Sequence, residues 1–391
     1  MNPPRDAINR LRRTVEVSGP RWAATLVVDE LAPLGLTRLW APWRVSAERL
    51  GAQLRSVMER WEMPAEQVDA VVRQMLHADR HGVDTHGSAA LLAYHRLLLA
   101  GDIRADPEVE VVRDEAGTAL VDGGGGLGHP PAELAMELAI ERATRLGVAA
   151  VSVRNSGHFG AAGGYALMAA EQGLIGIATT STARVAMIPA GGTEARLGTN
   201  PIAFAAPGGA GRPFLLDMST STVPIGQLAA ATRGSGRIPR GWAIDRSGRH
   251  VRSARRALRQ RRLTPLGGTA PMSAHKGYGL AVMVQILAAL VPGGIPERSA
   301  GDSSIGHLMI AIDPGRLREG GGFGTDLDQL LATLRSTPAA DPEVPVMVAG
   351  DPEWAAAAER DRLGIPLARG VVEDIRTVAR STGVPFELEP M

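Results

Sequence analysis

The chain has 391 residues, of which 45% are hydrophobic and 21% charged, and its net charge is +1. This composition is typical of a globular protein with two or three domains. No apolar run reaches the roughly 18 residues that a membrane-spanning helix needs. The absence of cysteine excludes a disulfide scaffold, a thiolate zinc site and a cysteine nucleophile. The balanced charge gives no general case for nucleic-acid binding, and the 4% of aromatic residues leaves small aliphatic side chains to fill the core.

The first 43 residues are expected to form an extension outside the folded domains. A basic stretch from Arg5 to Arg13 is followed by a short apolar run and a turn-rich segment. This region lacks the long apolar core and the small-residue cleavage site of a secretory signal. The chain is therefore expected to be cytoplasmic.

From Val45 onward, helical and β-type segments alternate in a way that is typical of an α/β core. Ser46 can cap the first helix, in which apolar residues recur every four positions. Further helices are predicted over 64–75, 88–100, 132–146, 162–172, 275–290, 327–334, 352–363 and 371–382. Strands are predicted over 109–112, 119–121, 148–153, 175–179 and 309–312.

For two conspicuous segments, the sequence favours a structural interpretation over a ligand-binding one. Eight arginines lie within the seventeen residues Arg246–Arg262, but no aromatic side chains interleave to stack bases, so a solvated connection is favoured over a nucleic-acid patch. The segment Gly123–Gly128 matches the dinucleotide-binding pattern G-x-G-x-x-G only because five of its six residues are glycine. Pro130 and Pro131 also remove amide donors where a pyrophosphate would bind, so a plain turn is favoured.

A short segment around His86 is the first of three candidate functional segments. The sequence predicts that His86 stands at a helix N-terminus, where the helix dipole lowers the pKa of an imidazole and favours the neutral base. Asp84 or Thr85 can cap that helix. Taken alone, a histidine in a capping turn is more often structural than catalytic.

The other two segments are rich in glycine. Asn155–Gly164 follows a predicted strand and enters a helix, so its small residues can admit a ligand to the backbone and its amides can bind phosphate. By itself this pattern fits a tight turn equally well. In the third segment, the single lysine of the chain, Lys276, opens a helix. A cation is disfavoured there by the helix dipole, which indicates a nearby anion such as a cofactor phosphate.

Together these blocks resemble the malate/L-lactate dehydrogenase family, which binds NAD(P) without a Rossmann fold. The matching blocks, in order, are GVDTHG, NSGHFGAAGGYALMAAEQGLIGIA, RLGTNPIAFAAP, FLLDMSTS, IPRGWAID, PLGG, HKGYGLAVMVQIL and GHLMIAIDP. The resemblance extends from about Val45 to the C-terminus. It implies a homodimer that transfers a hydride between NAD or NADP and a 2-oxo or cyclic 2-imino acid.

The resemblance also implies a domain organisation and a set of site residues. Residues 44–118 and 335–391 are expected to form a helical, dimer-forming domain, and residues 119–334 an α/β cofactor domain. His86 matches the family histidine that exchanges a proton with the substrate, and Thr85 keeps the hydroxyl of the usual serine. Tyr94 and Thr199 match substrate-contacting positions. Cofactor contacts are expected at His158, Phe159, Gly160, Ala161, Ala162, Asp217, Met218, Ser219, Lys276 and Gly277.

Three expected substrate positions depart from the family pattern. Arginine is usual at the positions of Ala90 and Ile225, and Lys, Glu or Asp at the position of Gln227. Such arginines are natural bidentate partners of a carboxylate, and each is worth about 1.5–3 kcal/mol of binding. Their loss in an arginine-rich chain predicts a more apolar and roomier pocket.

Three functions remain open from the sequence. The favoured one is an NAD(P)H-dependent oxidoreductase that acts on a C=O or C=N group of a substrate without a free carboxylate. The second is an ordinary 2-hydroxy-acid or cyclic imino-acid dehydrogenase in which Arg184 or Arg196 anchors the carboxylate. The third is a non-catalytic dimeric binding protein. No metal, nucleic-acid or membrane partner is expected.

Overall fold

The computed structural model describes residues 43–182, 184–233, 236–293 and 305–391. The expected extension, residues 1–43, lies outside the described residues except for its last position. The α-helices in the described ranges are α1 Ala47–Glu59, α2 Ala65–Arg80, α3 Leu91–Ala100, α4 His129–Leu146, α5 Ala162–Glu171, α6 Ile225–Arg233, α7 Ala254–Gln260, α8 Ala274–Gln285, α9 Phe323–Arg335, α10 Asp351–Leu363 and α11 Arg369–Thr382. The strands are β1 Trp43–Val45, β2 Glu110–Asp114, β3 Thr118–Asp122, β4 Val148–Ser156, β5 Ile175–Thr180, β6 Ile202–Ala206, β7 Phe214–Met218, β8 Ile305–Ile312 and β9 Ile365–Leu367.

A seven-stranded sheet forms the centre of the protein, in the order β2-β3-β4-β8-β5-β6-β7. Strands β3 and β4 pair in parallel, and the other neighbours in this sheet pair antiparallel. A Rossmann sheet is built from parallel strands. The predicted α/β class is therefore confirmed, and this sheet is not a Rossmann sheet.

Alanine fills most of the core between the sheet and its helices. One side of α4 presents Ala132, Ala135, Ala139 and Ala143, all buried, to the sheet. Helix α5 is buried along nearly its whole length, which its Ala- and Gly-rich sequence permits. Small side chains let helices lie close to the strands, as the low aromatic content predicted.

A second core joins the two ends of the described chain. Side chains of α1, α2 and α3 pack against those of α11 in one apolar cluster. Strands β1 and β9 add an antiparallel pair to the same region. The expected division into a helical and a cofactor domain stays a prediction, but this core does combine both chain ends.

A third, smaller core is formed by residues 223–263 together with Ala186. Helices α6 and α7 pack around buried side chains such as Leu228, Ile238 and Leu263. We call residues 223–263 the lobe. The arginine-rich segment lies on its surface, where six arginines are exposed: Arg246, Arg249, Arg252, Arg255, Arg256 and Arg259. The segment thus lies at the surface, as the sequence predicted, and it contains α7.

Most predicted elements are present, with bounds that differ by one to five residues. The predicted helix 88–100 is wrong at its start, because a 3₁₀ helix at Ser88–Ala90 precedes α3. The predicted helix 275–290 ends as an α-helix at Gln285 and continues as a π-helical segment, Ile286–Leu290. Gly123–Gly128 is the predicted turn, in which Gly124 and Gly125 have positive φ. Within the described residues, no helix is long and apolar enough to cross a membrane.

Candidate active site

His86 lies in a short turn that two 3₁₀ helices form between α2 and α3. The first, Asp84–His86, ends at Gly87, and the second begins at Ser88. The side chain of His86 is partly buried. Its Nδ1 atom is 2.9 Å from the hydroxyl oxygen of Thr85, so this nitrogen is engaged by the preceding side chain. We call residues 84–88 the His86 turn.

The structure corrects the expected electrostatics of this turn. His86 is not at the N-terminus of an α-helix, because α3 begins only at Leu91. Neither 3₁₀ helix has a side-chain cap. The carboxylate of Asp84 instead accepts from the guanidinium of Arg360, on α10. The helix dipole therefore does not explain the state of His86, since the dipole effect fades within one helical turn.

His158 stands next to His86 and is held by a tyrosine. The two imidazole rings stack with centroids 5.6 Å apart. The hydroxyl of Tyr94 lies 2.7 Å from Nδ1 of His158, and Tyr94 is only 2% exposed. Burial, and then the neighbouring His86, lower the pKa of His158 to about 3, while burial raises the pKa of Tyr94. At neutral pH the pair is therefore a neutral phenol and a neutral imidazole.

Two further histidines, which the sequence analysis did not single out, lie behind this pair. The ring of His129 meets Tyr94 edge-on at 5.7 Å, and both of its nitrogens are buried without a hydrogen-bond partner. His307, on β8, is bonded at Nδ1 to Thr180 and at Nε2 to Ser156. Burial keeps the pKa of His129 well below its usual value and lowers that of His307 to about 3. Their only sequence signal was a histidine within an otherwise apolar segment.

Phe159 is part of the core and not of an open surface. It is 1% exposed, and its ring stacks on Tyr165 at 4.8 Å and on His307 at 4.5 Å. The ring is therefore enclosed by core side chains, and the expected cofactor contact at Phe159 stays a prediction. Ala161 and Ala162 are likewise buried, at 4% and 2% exposure.

The glycine-rich loop, residues 155–164, contacts both the His86 turn and the sheet. Gly160 has φ of +78°, and a Cβ atom there would lie 3.5 Å from the carbonyl oxygen of His86 and 3.1 Å from Nε2 of His129. The amide of Gly163 donates to Oδ2 of Asp217, on β7, at 2.8 Å. A side chain at either glycine would crowd these contacts, so the loop approaches its neighbours as closely as glycine allows.

The remaining expected cofactor residues lie along β7 and at the start of α8. Met218 and Ser219 are partly buried, and the carbonyl of Thr199 accepts from the amide of Thr220. Gly277 packs on Leu266, whose amide bonds to Thr220, so α8 abuts this segment. Lys276 is exposed and forms no ion pair within the described part of the chain. The same described residues contain no cluster that could hold a metal ion.

The three departures from the family pattern surround the His86 turn. A Cβ atom on Gly226 would lie 2.6 Å from Cγ2 of Thr85, so α6 begins directly against the turn. Ile225 packs against the core of the lobe, Gln227 is partly buried, and Ala90 belongs to the helical core. Both apolar side chains are thus part of apolar cores, and the expected roomier pocket stays a prediction.

Comparison with known proteins shows the family to which the chain belongs. Residues 45–376 match the malate/L-lactate dehydrogenase family. The chain is 36% identical to malate dehydrogenase of Pyrococcus abyssi over 347 residues, which are 87% of this chain and 95% of that protein. The chain belongs to the malate/L-lactate dehydrogenase family. Every block that carried the resemblance lies within the matched range, so the sequence-based assignment is confirmed.

Two further comparisons extend this result. The solved malate dehydrogenase of Pyrococcus horikoshii superposes with a TM-score of 0.79 at 35% identity, covering 89% of this chain and 97% of that one. The (2R)-3-sulfolactate dehydrogenase (NADP(+)) of Chromohalobacter salexigens is 34% identical over 276 residues, which are 68% of this chain and 79% of that protein. The prediction of an NAD(P)-dependent dehydrogenase of this family is confirmed.

Proposed function

We propose that this protein transfers a hydride between NAD(P)H and a C=O or C=N group, with His86 as the proton donor to the substrate. The observation that carries the proposal is the fixed pair of histidines. Nδ1 of His86 lies 2.9 Å from the hydroxyl of Thr85, and the stacked ring of His158 lies 5.6 Å away, so the imidazole that would donate the proton is held in place. A positioned general acid of this kind contributes about 10²–10⁴-fold to a proton transfer.

Polar groups on the segments expected to bind the cofactor suit a nicotinamide dinucleotide. His158 and Asp217 are partly exposed and suit the carboxamide and hydroxyl groups of the cofactor, and exposed Lys276 suits a phosphate. When bound, the cofactor supplies the hydride. Burial keeps the imidazole of His158 neutral, the hydroxyl of Tyr94 orients it, and His86 gives its proton to the substrate oxygen or nitrogen. The choice between NAD and NADP stays open.

On the substrate side, we favour a carbonyl or imine compound without a free carboxylate. Ala90 and Ile225 stand where the family usually carries arginine, and the one guanidinium bonded to the described His86 turn, that of Arg360, already binds Asp84. The second candidate is a 2-hydroxy acid, which the names of the malate and sulfolactate dehydrogenases favour. In that case exposed Arg184 or Arg196 would anchor the carboxylate, although Arg196 pairs with Glu194.

Two measurements test this proposal in order. The purified protein is titrated with NADPH and NADH by fluorescence, and binding of either supports the redox function. Cofactor oxidation is then followed with matched substrates: a 2-oxo acid against its methyl ester, and a cyclic imine with and without its 2-carboxylate. Preference for the uncharged partners supports the first candidate, and preference for the acids supports the second. A failure to bind either dinucleotide would favour a non-catalytic binding protein.

The homodimer and the cytoplasmic location are part of the same proposal. One side of α8 and the following π-helical segment exposes Leu280, Met283, Ile286 and Leu290, each at 36% or more. Apolar side chains grouped in this way are typical of an interface between subunits. Light scattering of the purified protein would give its mass directly.

A further inference from the structure

Beneath the His86 turn lies a carboxyl group that the proposed mechanism does not use. Asp79, in the last turn of α2, is 2% exposed, and its Oδ2 accepts from the backbone amide of Ser88 at 2.8 Å. Gly87 lies against its other oxygen, so closely that a Cβ atom there would be 2.1 Å from Oδ1. The carboxyl group of Asp79 therefore touches both residues that follow His86.

The same turn is tied to the C-terminal part of the chain. The guanidinium of Arg360, on α10, donates to the backbone carbonyl of Asp79 and to the carboxylate of Asp84. The side chain of Arg360 is only 12% exposed, so this connection is largely removed from solvent. One buried cation thereby joins the end of α2 to the start of the His86 turn.

These contacts compensate for the poor internal support of the turn. A 3₁₀ helix has weaker hydrogen-bond geometry than an α-helix, and the first amides of any helix lack internal partners. Neither of the two 3₁₀ helices has a side-chain cap of its own. The amide of Ser88, which opens the second of them, obtains its partner from Asp79 instead. The orientation of His86 thus depends on a group seven residues earlier.

We propose that Asp79 is a positioning residue for His86, acting through the amide of Ser88 and the close contact with Gly87. The proposal rests on the proposed function in taking His86 as the proton donor. Asp79 itself touches neither substrate nor cofactor. A charged acceptor forms a stronger hydrogen bond to an amide than a neutral one, so the ionised carboxylate holds the turn more firmly than the protonated acid.

The surroundings of Asp79 place its ionisation in the neutral range. Burial raises the pKa of the carboxyl group to about 7. The amide of Ser88 and the guanidinium of Arg360 oppose that rise, whereas the carboxylate of Asp84 adds to it. Because the folded pKa exceeds the unfolded value of 3.8, Asp79 lowers the free energy of unfolding as the pH rises from about 3.8 to about 7, and above that range its contribution no longer changes with pH. Ionisation of Asp79 should therefore raise turnover, because it holds the His86 turn more firmly, and lower the free energy of unfolding.

The variant Asp79→Asn separates positioning from general structural support. Asparagine keeps the shape and can still accept from Ser88, but it carries no charge. We expect kcat at pH 8 to fall 3- to 10-fold, with the KM for NADPH unchanged, no loss of thermal stability, and no inflection near pH 7 in the profile of kcat. Asp361→Asn is the matched control, since Asp361 pairs with Arg80 between the same two helices without touching the turn. It should leave kcat unchanged.

A second readout does not depend on turnover. In protein with ¹³C-labelled histidine, the His86 signal is assigned by its loss in His86→Gln and followed from pH 5 to 9. We expect a shift near pH 7 in the wild type that is absent in Asp79→Asn. An unchanged His86 titration in Asp79→Asn would overturn the proposal, as would an equal loss of kcat in Asp361→Asn. If no substrate is turned over, the proposed function fails, and the His86 signal alone decides this inference.

Discussion

Replacing Gly226 by alanine should displace the His86 turn through Thr85 while leaving every side chain of that turn chemically unchanged. Gly226 is the second residue of α6. A Cβ atom there would lie 2.6 Å from Cγ2, 2.9 Å from Cβ and 3.1 Å from Oγ1 of Thr85, whereas ordinary contacts are 3.4–4 Å. Because the close atoms include Cβ of Thr85, a change of side-chain rotamer does not relieve the overlap. The backbone of Thr85 must move by about 1 Å, in keeping with the strain that overpacking causes.

The size of the effect follows from that displacement. A shift of about 1 Å in a reacting group costs on the order of 10²-fold in rate, so we expect kcat to fall 10- to 100-fold as the bond between Thr85 and His86 is disturbed. Overpacking costs about 1–3 kcal/mol, and the better helix propensity of alanine returns about 0.5–1 kcal/mol. The free energy of unfolding should therefore fall by no more than about 2.5 kcal/mol.

The assay combines turnover with denaturant unfolding, and the chain offers a matched control. Gly370 is also the second residue of a helix, α11, but a Cβ atom there would meet nothing within 4 Å. Gly370→Ala should keep full kcat and unfold at the same or a higher denaturant concentration. A folded Gly226→Ala protein with wild-type kcat would refute the reasoning, because the packing of α6 on Thr85 would then have no bearing on His86.

Three other results are expected. His86→Ala should keep dinucleotide binding, measured by fluorescence, but lose at least about 10²-fold in turnover; unchanged turnover would exclude His86 as the proton donor. Tyr94→Phe removes the hydroxyl bonded to His158 and should lower the free energy of unfolding by about 1–3 kcal/mol. It should also lower kcat, and an unaffected kcat would show that Tyr94 does not contribute to the active site. Since the pKa values of His158 and His307 lie near 3 in the fold and near 6.5 when unfolded, each neutral ring should make stability fall by about 1.4 kcal/mol per pH unit below pH 6.5. Urea unfolding between pH 7.5 and 5 measures that slope, and His307→Gln should reduce it. A wild-type unfolding midpoint that does not change with pH would contradict this prediction.

The sequence was informative wherever a residue acts through its neighbours in the chain. The alternation of helical and strand patterns predicted the α/β class, and the glycine-rich loop at 155–164 was correctly placed between a strand and a helix. The pairing of Thr85 with His86 also follows from adjacency. Local periodicity and turn chemistry were sufficient for these features.

What the sequence did not reveal depends on contacts between distant residues. The dipole argument for His86 failed because two uncapped 3₁₀ helices replaced the expected α-helical start. The enclosure of the Phe159 ring depends on Tyr165 and on His307, which lies about 150 residues further along the chain. Arg360 lies more than 270 residues from Asp84, its partner in the structure. No periodicity within a short window reports such pairings.

The position of β8 in the middle of the sheet has a consequence for how the protein is made. Strands β4 and β5 do not bond to each other; each pairs with β8, which follows β4 after about 150 residues. At about 5–20 residues per second of synthesis, roughly 8–30 s pass before that strand is made. Until then, the nascent chain carries two half-sheets with unpaired inner edges, which are templates for association with other chains. The most buried strand of the finished sheet is thus one of the last to be synthesised, and the interval before its arrival is when the growing chain most needs protection from aggregation.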